Sequence, residues 1–182
     1  HMPRAVILRP SIVFGPEDEF FNRFAGMARL SPVLPVVGPE TQFQPVYVDD
    51  VAAAAEKGCT GEAEAGTYEL GGPRVASFRA LMETMLKVIR RKRLIVALPM
   101  PVAKLQGAVF EQAARLGITP PITLDQVKML AVDNVVAPGA KTLADLGIEA
   151  TSMETVLDSY LYQYRPRGQY SRMVDEGEVT GG

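Results

Sequence analysis

The residues able to do chemistry in this chain are few and widely spaced. Asp49-Asp50 is an acid pair of the kind that could share proton-transfer work. It also opens the run Val51-Ala52-Ala53-Ala54-Ala55, where a helix needs a carboxylate at its N-cap, so capping accounts for it. Cys59 is the sole cysteine and His1 the sole histidine. An internal disulfide is therefore impossible, and a structural zinc site has no ligand set. Cys59 falls in a polar, Gly-containing turn and reads as an incidental thiol. No Ser-His-Asp set stands out. Arg90-Arg91-Lys92-Arg93 could bind an anionic partner or membrane surface, or simply complement a helix C-terminus. No catalytic residue and no metal ligand is assigned.

One stretch has the geometry of a ligand site. Ala5 to Leu8 and Ile12 to Phe14 are apolar and flank Arg9-Pro10-Ser11, and Gly15-Pro16 is a turn dipeptide. Acidic residues and a helical apolar pattern follow. Strand, tight turn and helix N-terminus in this order place a ligand just past the strand's carboxyl end, as in open α/β sheets.

The elements that must position this stretch follow from periodicity. Ala5 to Phe14 reads as a strand buried on both faces, as in a parallel sheet. Glu17-Asp18-Glu19 open a helix carrying Phe20, Phe21, Phe24, Met27 and Ala28, which ends near Ser31-Pro32. Val33 to Phe43 is loop-like because Pro32, Pro35, Gly38 and Pro39 interrupt it. Pro45 to Val48 is a short strand, and the helix that Asp49-Asp50 caps stops at Gly58. Thr67 to Leu70 is a strand. Ser77 caps a helix whose Phe78, Leu81, Met82, Met85, Leu86 and Ile89 follow i, i+3, i+4, i+7 spacing. Leu94 to Leu98 is a strand.

Pro101 opens a helix that ends at Gly117. Thr123-Leu124-Asp125-Gln126 and Thr151-Ser152-Met153-Glu154 both have capping-box spacing. The second precedes a helix with Met153, Val156, Leu157, Tyr160, Leu161 and Tyr164 on one face. Lys141 to Leu146 forms a helical turn before Gly147.

The bulk numbers agree with a folded domain. The chain has 182 residues, 47% hydrophobic and 22% charged, with a formal net charge of −2. That balance is ordinary for a packed domain and is not the basic footprint of nucleic-acid binding. No apolar run reaches the ~18 residues of a membrane span. His1-Met2 reads as a cloning scar, residues 3–167 as the folded portion and 168–182 as a mobile tail. Because Pro3 leads almost directly into a strand, the chain is expected to be a fragment of a longer protein.

Three motifs in order carry a family resemblance. Ile7-Leu8-Arg9-Pro10-Ser11-Ile12-Val13-Phe14-Gly15-Pro16 resembles the strand that follows the catalytic helix in extended and atypical short-chain dehydrogenase/reductases. Gln44-Pro45-Val46-Tyr47-Val48-Asp49-Asp50-Val51-Ala52 and Thr67-Tyr68-Glu69-Leu70-Gly71-Gly72 resemble two later segments of that superfamily. Phe14 to Phe24 is similar to the atypical branch that holds the NAD(P)H-binding accessory subunit of respiratory complex I and its bacterial relatives. The resemblance covers roughly residues 4 to 165.

It implies an α/β fold: the C-terminal part of a Rossmann-type NAD(P)-binding protein, with a few mostly parallel strands and several helices, incomplete without its N-terminal half. It further implies that Pro10, Ser11, Ile12 and Val13 line the nicotinamide of NAD(P)H in the full-length parent, and that Phe21, Arg23 and Gln44 face the substrate cleft.

The family's nucleotide and proton-transfer motifs are not in this sequence. Gly58 and Gly61 have the spacing of a Gly-x-x-Gly-x-x-Gly turn, but Glu64 fills the third place. None of Tyr47, Tyr68, Tyr160, Tyr162, Tyr164 or Tyr170 has Lys four residues later, so the general acid of the catalytic members is missing. The chain alone is expected to bind no cofactor. Its expected partners are its own missing half and a respiratory-complex or membrane-surface partner, with no nucleic acid. It is expected in the cytoplasm, peripheral to the inner membrane. A truncated oxidoreductase or sugar-nucleotide epimerase/dehydratase, and an assembly or scaffold module, remain as alternatives.

Overall fold

Strand β1, Val6–Pro10, pairs in parallel with β6, Gly66–Leu70, with Val6 opposite Gly66 and Pro10 opposite Leu70. The computed structural model describes residues 5–99, 129–130 and 132–168. At Ser11-Ile12 the first strand breaks and resumes as β2, Val13–Phe14, which changes neighbour and pairs in parallel with β5, Val46–Tyr47. Two backbone bonds hold the step: Ser11 N donates to Leu70 O (2.9 Å) and Val46 N to Ile12 O (2.9 Å). The long strand expected over Ala5 to Phe14 is therefore two short ones. Nor is β1 buried on both faces, because Ile7 is 49% exposed and Arg9 and Pro10 are exposed as well. Among the described residues β1 has only β6 beside it.

Helix α1, Glu19–Leu30, begins where its sequence indicates. Asp18 is its N-cap, and its carboxylate accepts from Phe21 N (2.5 Å) and Asn22 N (3.3 Å). The following segment corrects the loop expectation. Val33–Val37 is strand β3, paired in parallel with β8, Leu94–Leu98, while Gln42–Phe43 is β4, antiparallel to β7, Ala76–Ser77. Pro35 is tolerated because β3 has β8 alone as a described neighbour, so its missing N–H can face the unpaired side.

Helix α2, Val48–Thr60, departs from the sequence reading at both ends. Its N-cap is Tyr47, with no side-chain capping bond, so neither Asp49 nor Asp50 is the cap. It runs through Gly58 and stops at Gly61, which takes the left-handed conformation (φ 82°). Cys59, placed in a turn by sequence, is in its last turn and exposed. Helix α3, Phe78–Val88, is capped by Ser77 Oγ, which accepts from Ala80 N (3.2 Å). After it, Arg90 carries the positive φ (53°) that lets Arg91 N reach back to Leu86 O (3.0 Å).

The helix expected from Pro101 to Gly117, the Thr123 capping box and the tail from residue 169 lie outside the described residues. A 3-10 turn at Ala144–Leu146 precedes Gly147 (φ 65°), as expected. Helix α4, Met153–Leu161, has Ser152 at its N-cap rather than Thr151. The core has two parts. The larger joins Phe14 and Phe43 to the inner faces of α1, α3 and α4, with Phe21, Phe78, Met85 and Leu157 fully buried. The smaller packs Val46, Ala54, Tyr68 and Leu70 against Leu143 and Leu146.

Candidate nucleotide-side site

The break between β1 and β2 is the best-anchored irregular backbone near a cavity. Ser11 Oγ donates to Asn134 O (2.9 Å), so the step is tied to a distant strap as well as to β6. The strap, residues 133–141, runs beside two other segments. Gln44 N donates to Asn134 O (3.1 Å) and Glu69 N to Lys141 O (2.8 Å). Asp133 Oδ1 accepts from Gln42 N (2.8 Å), and Glu69 Oε2 accepts from Ala137 N (2.8 Å).

Past this step lies a cavity of about 530 Å³. Ile12 forms one side. Phe20, Phe24 and Phe43 form an aromatic floor, while Glu19, Arg23, Asp133 and Asn134 supply polar groups at the edge. Phe20 meets Phe24, with ring centroids 5.4 Å apart, and Phe43 at 6.4 Å. An apolar floor with a few convergent polar groups is the usual make-up of a small-molecule site.

The structure brings only some of the expected residues to this cavity. Ile12 and Arg23 line it. Val13 packs instead on the smaller core, and Pro10 is exposed at the end of β1. Phe21 is fully buried, its ring edge-on to Phe14 and Phe20, so Phe20 presents the ring to the cavity in its place. Gln44 works as a brace: Nε2 donates to Gly72 O (2.8 Å) and Oε1 accepts from Val136 N (3.0 Å). A Cβ on Gly71 would come within 2.6 Å of the Gln44 side chain, and one on Gly72 within 2.0 Å of Pro45 O.

Two side-chain ties were not read from the sequence. Asp18 Oδ2 accepts the phenol proton of Tyr160, fastening α4 to the start of α1 beside the cavity. Burial first, and then this carboxylate, push the Tyr160 phenol far above its ordinary value. Asp18 could have been recognised as the N-cap from its place before the apolar run. Its tyrosine partner, 142 positions away, could not. Asp50, 7% exposed, accepts from Thr151 N (2.7 Å) and Thr151 Oγ1 (2.8 Å), joining α2 to the loop before α4. Among the described residues no group of acidic, His or Cys side chains could hold a metal ion.

These features belong to an α/β module whose fold is shared with solved epimerases and dehydratases. The dTDP-glucose 4,6-dehydratase of Bacillus anthracis, solved in complex with NAD, matches 93% of this chain and 45% of its own at a TM-score of 0.54 and 13% identity, which shows the fold. By sequence, the chain is similar to subunits of mitochondrial NADH-ubiquinone oxidoreductases. It is 35% identical over 175 residues to the mitochondrial NADH dehydrogenase (ubiquinone) 1 alpha subcomplex subunit 9 of Arabidopsis thaliana, covering 92% of this chain and 44% of that protein. It is 30% identical over 169 residues to the mitochondrial NADH-ubiquinone oxidoreductase 40 kDa subunit of Neurospora crassa, again 92% and 44%. The chain thus spans about half the length of the curated relatives it matches. No family profile matches it. Among the described residues no helix is long and apolar enough to cross a membrane.

Proposed function

We propose that this chain is the nicotinamide-side lobe of an NAD(P)-binding protein in which the nucleotide has a structural role, and that the full-length parent serves as an accessory subunit of a respiratory complex, peripheral to an inner membrane. The observation that carries this reading is the sequence match to complex I subunits across nearly the whole chain but less than half of theirs. The geometry supports it. Ile12, on the anchored step between β1 and β2, faces a cavity with an apolar, aromatic floor and ample room for a nicotinamide ring. The residues present fit one wall of a cofactor site, while a pyrophosphate needs a Gly-rich turn that this sequence lacks. A bound nicotinamide would supply hydride chemistry. The residues here supply only shape and anchorage, with no Tyr–Lys pair to move a proton.

The proposal is tested in the full-length parent by Ile12→Trp. An indole in place of Ile12 fills the space meant for the ring. NADPH fluorescence titration should show affinity reduced about tenfold, a change of about 1.4 kcal/mol, with the thermal midpoint of the free protein held within a few degrees. Unchanged affinity would mean that this wall does not face the nicotinamide.

A further inference from the structure

We propose that the shared start of β3 and β8, with the basic groove beside it, is a docking surface for an anionic lipid bilayer. This surface is separate from the cavity at Ile12 and does not depend on nucleotide binding.

Its apolar part is a cluster of aliphatic side chains turned outward. Leu30 is 83% exposed, Leu94 66% and Val33 38%. They lie together because Val33 and Leu94 are opposite each other in the β3–β8 register, and Leu94 N donates to Pro32 O (3.0 Å) just past the end of α1. A folded chain gains nothing by leaving adjacent leucines in water, and such patches mark contact surfaces.

The basic part adjoins it. Lys87, Arg90, Arg91, Lys92 and Arg93 line a groove of about 670 Å³ that continues onto Leu94 and Ile95, and Glu83 is the one carboxylate in its lining. Two of these cations are held in place by bonds to backbone carbonyls. Arg91 Nε donates to Tyr164 O (2.7 Å) and Arg93 Nε to Ala28 O (2.6 Å). Lys87, Arg90 and Lys92 are exposed.

Helix-end complementarity does not account for so many like charges. Burial holds the Arg91 guanidinium below its ordinary value, and the nearby charges of Arg93 and Arg29 add to the effect. The cations therefore crowd one another. Arg90 also occupies a left-handed position (φ 53°) that glycine would take without strain.

Aliphatic side chains beside a cluster of cations match the two layers of a bilayer surface. Leucines enter the acyl boundary while lysines and arginines meet phosphate headgroups. Nucleic acid fits less well, since among the described residues no aromatic side chain lines the groove to stack a base.

The test is co-flotation of the full chain with vesicles of phosphatidylcholine, with and without phosphatidylserine, at low and high salt. The chain should float with the phosphatidylserine vesicles at low salt and should not float with phosphatidylcholine alone. Each exposed lysine neutralised weakens such binding about fivefold. Lys87→Gln with Lys92→Gln should therefore reduce partitioning about 25-fold, with the far-UV spectrum and urea midpoint unchanged. Leu30→Ser with Leu94→Ser should weaken it as well. Absence of flotation, or no preference for the anionic lipid, overturns the proposal. So does full binding by the lysine variant. If the leucine variant binds undiminished and polyglutamate displaces the vesicles, the surface takes an acidic protein instead, and the bilayer reading fails.

Discussion

Asp50 looks like a capping residue and is a tertiary tie. Its buried carboxylate takes both the backbone and the hydroxyl proton of Thr151, from 101 positions away. Removing a charged acceptor leaves those donors without a partner, a cost of about 2 kcal/mol. Asp50→Ala should therefore lower the unfolding free energy by that amount, read as a lower urea midpoint at unchanged slope. A double-mutant cycle with Thr151→Val, which keeps the backbone bond and removes only the hydroxyl, should return about 1 kcal/mol as coupling; zero coupling would show that the hydroxyl bond contributes nothing. Tyr160 gives a pH signature. Its phenol is raised above the ordinary 10.0 by burial first, then by the bond to Asp18. The folded state thus keeps a proton that the unfolded chain releases. Stability from this group is fully present below about pH 10 and is lost as pH rises beyond it, at up to about 1.4 kcal/mol per pH unit. Tyr160→Phe should flatten the alkaline branch of the stability profile. Tyr47 and Tyr164 are raised too, so a shallower slope should remain.

At the scale of elements, the Gly71-Gly72 turn at the end of β6 decides how closely β6 and the segment before β5 approach. A methyl on Gly72 meets the backbone oxygen of Pro45, which cannot swing away. Gly72→Ala should cost about 3 kcal/mol. At Gly71 the nearest atoms are side-chain atoms of Gln44 and Val136, so alanine there should cost less. Chemical denaturation of the two variants checks the order, and equal midpoints would show that the turn relaxes freely. Elements with a strong local signal were legible in the sequence. The i, i+3, i+4 pattern of α3 with Ser77 before it, the apolar run of β8, and the start of α1 were all placed from residue types. Strand β3 was hidden because Pro35 is a breaker unless the strand has a free side, which only tertiary structure reveals. The end of α2 was hidden similarly. Gly58 stays helical beside Val6, and Gly61, in the left-handed conformation, makes the turn. The strap over 133–141 has no periodicity. Its bonds to Ser11, Gln44 and Glu69 span long sequence distances, so the site it braces could not be assembled from spacing.

At the scale of the whole molecule, the two cores and the strap make the Ile12 cavity a fixed feature, while β1 keeps an exposed flank at Ile7. The motifs at Arg9 to Pro16, Gln44 to Ala52 and Thr67 to Gly72 were legible as a resemblance, and their homology to complex I subunits agrees with it. Under the proposed function they build one wall of a nucleotide site, and this sequence holds no Gly-rich turn to cradle a pyrophosphate. The most direct measurement is calorimetric titration of NADPH into this chain and into the full-length parent under the same conditions. Micromolar binding to the parent and no measurable heat with this chain are expected. Micromolar binding to this chain alone, with no Gly-rich turn to hold the pyrophosphate, would contradict that expectation.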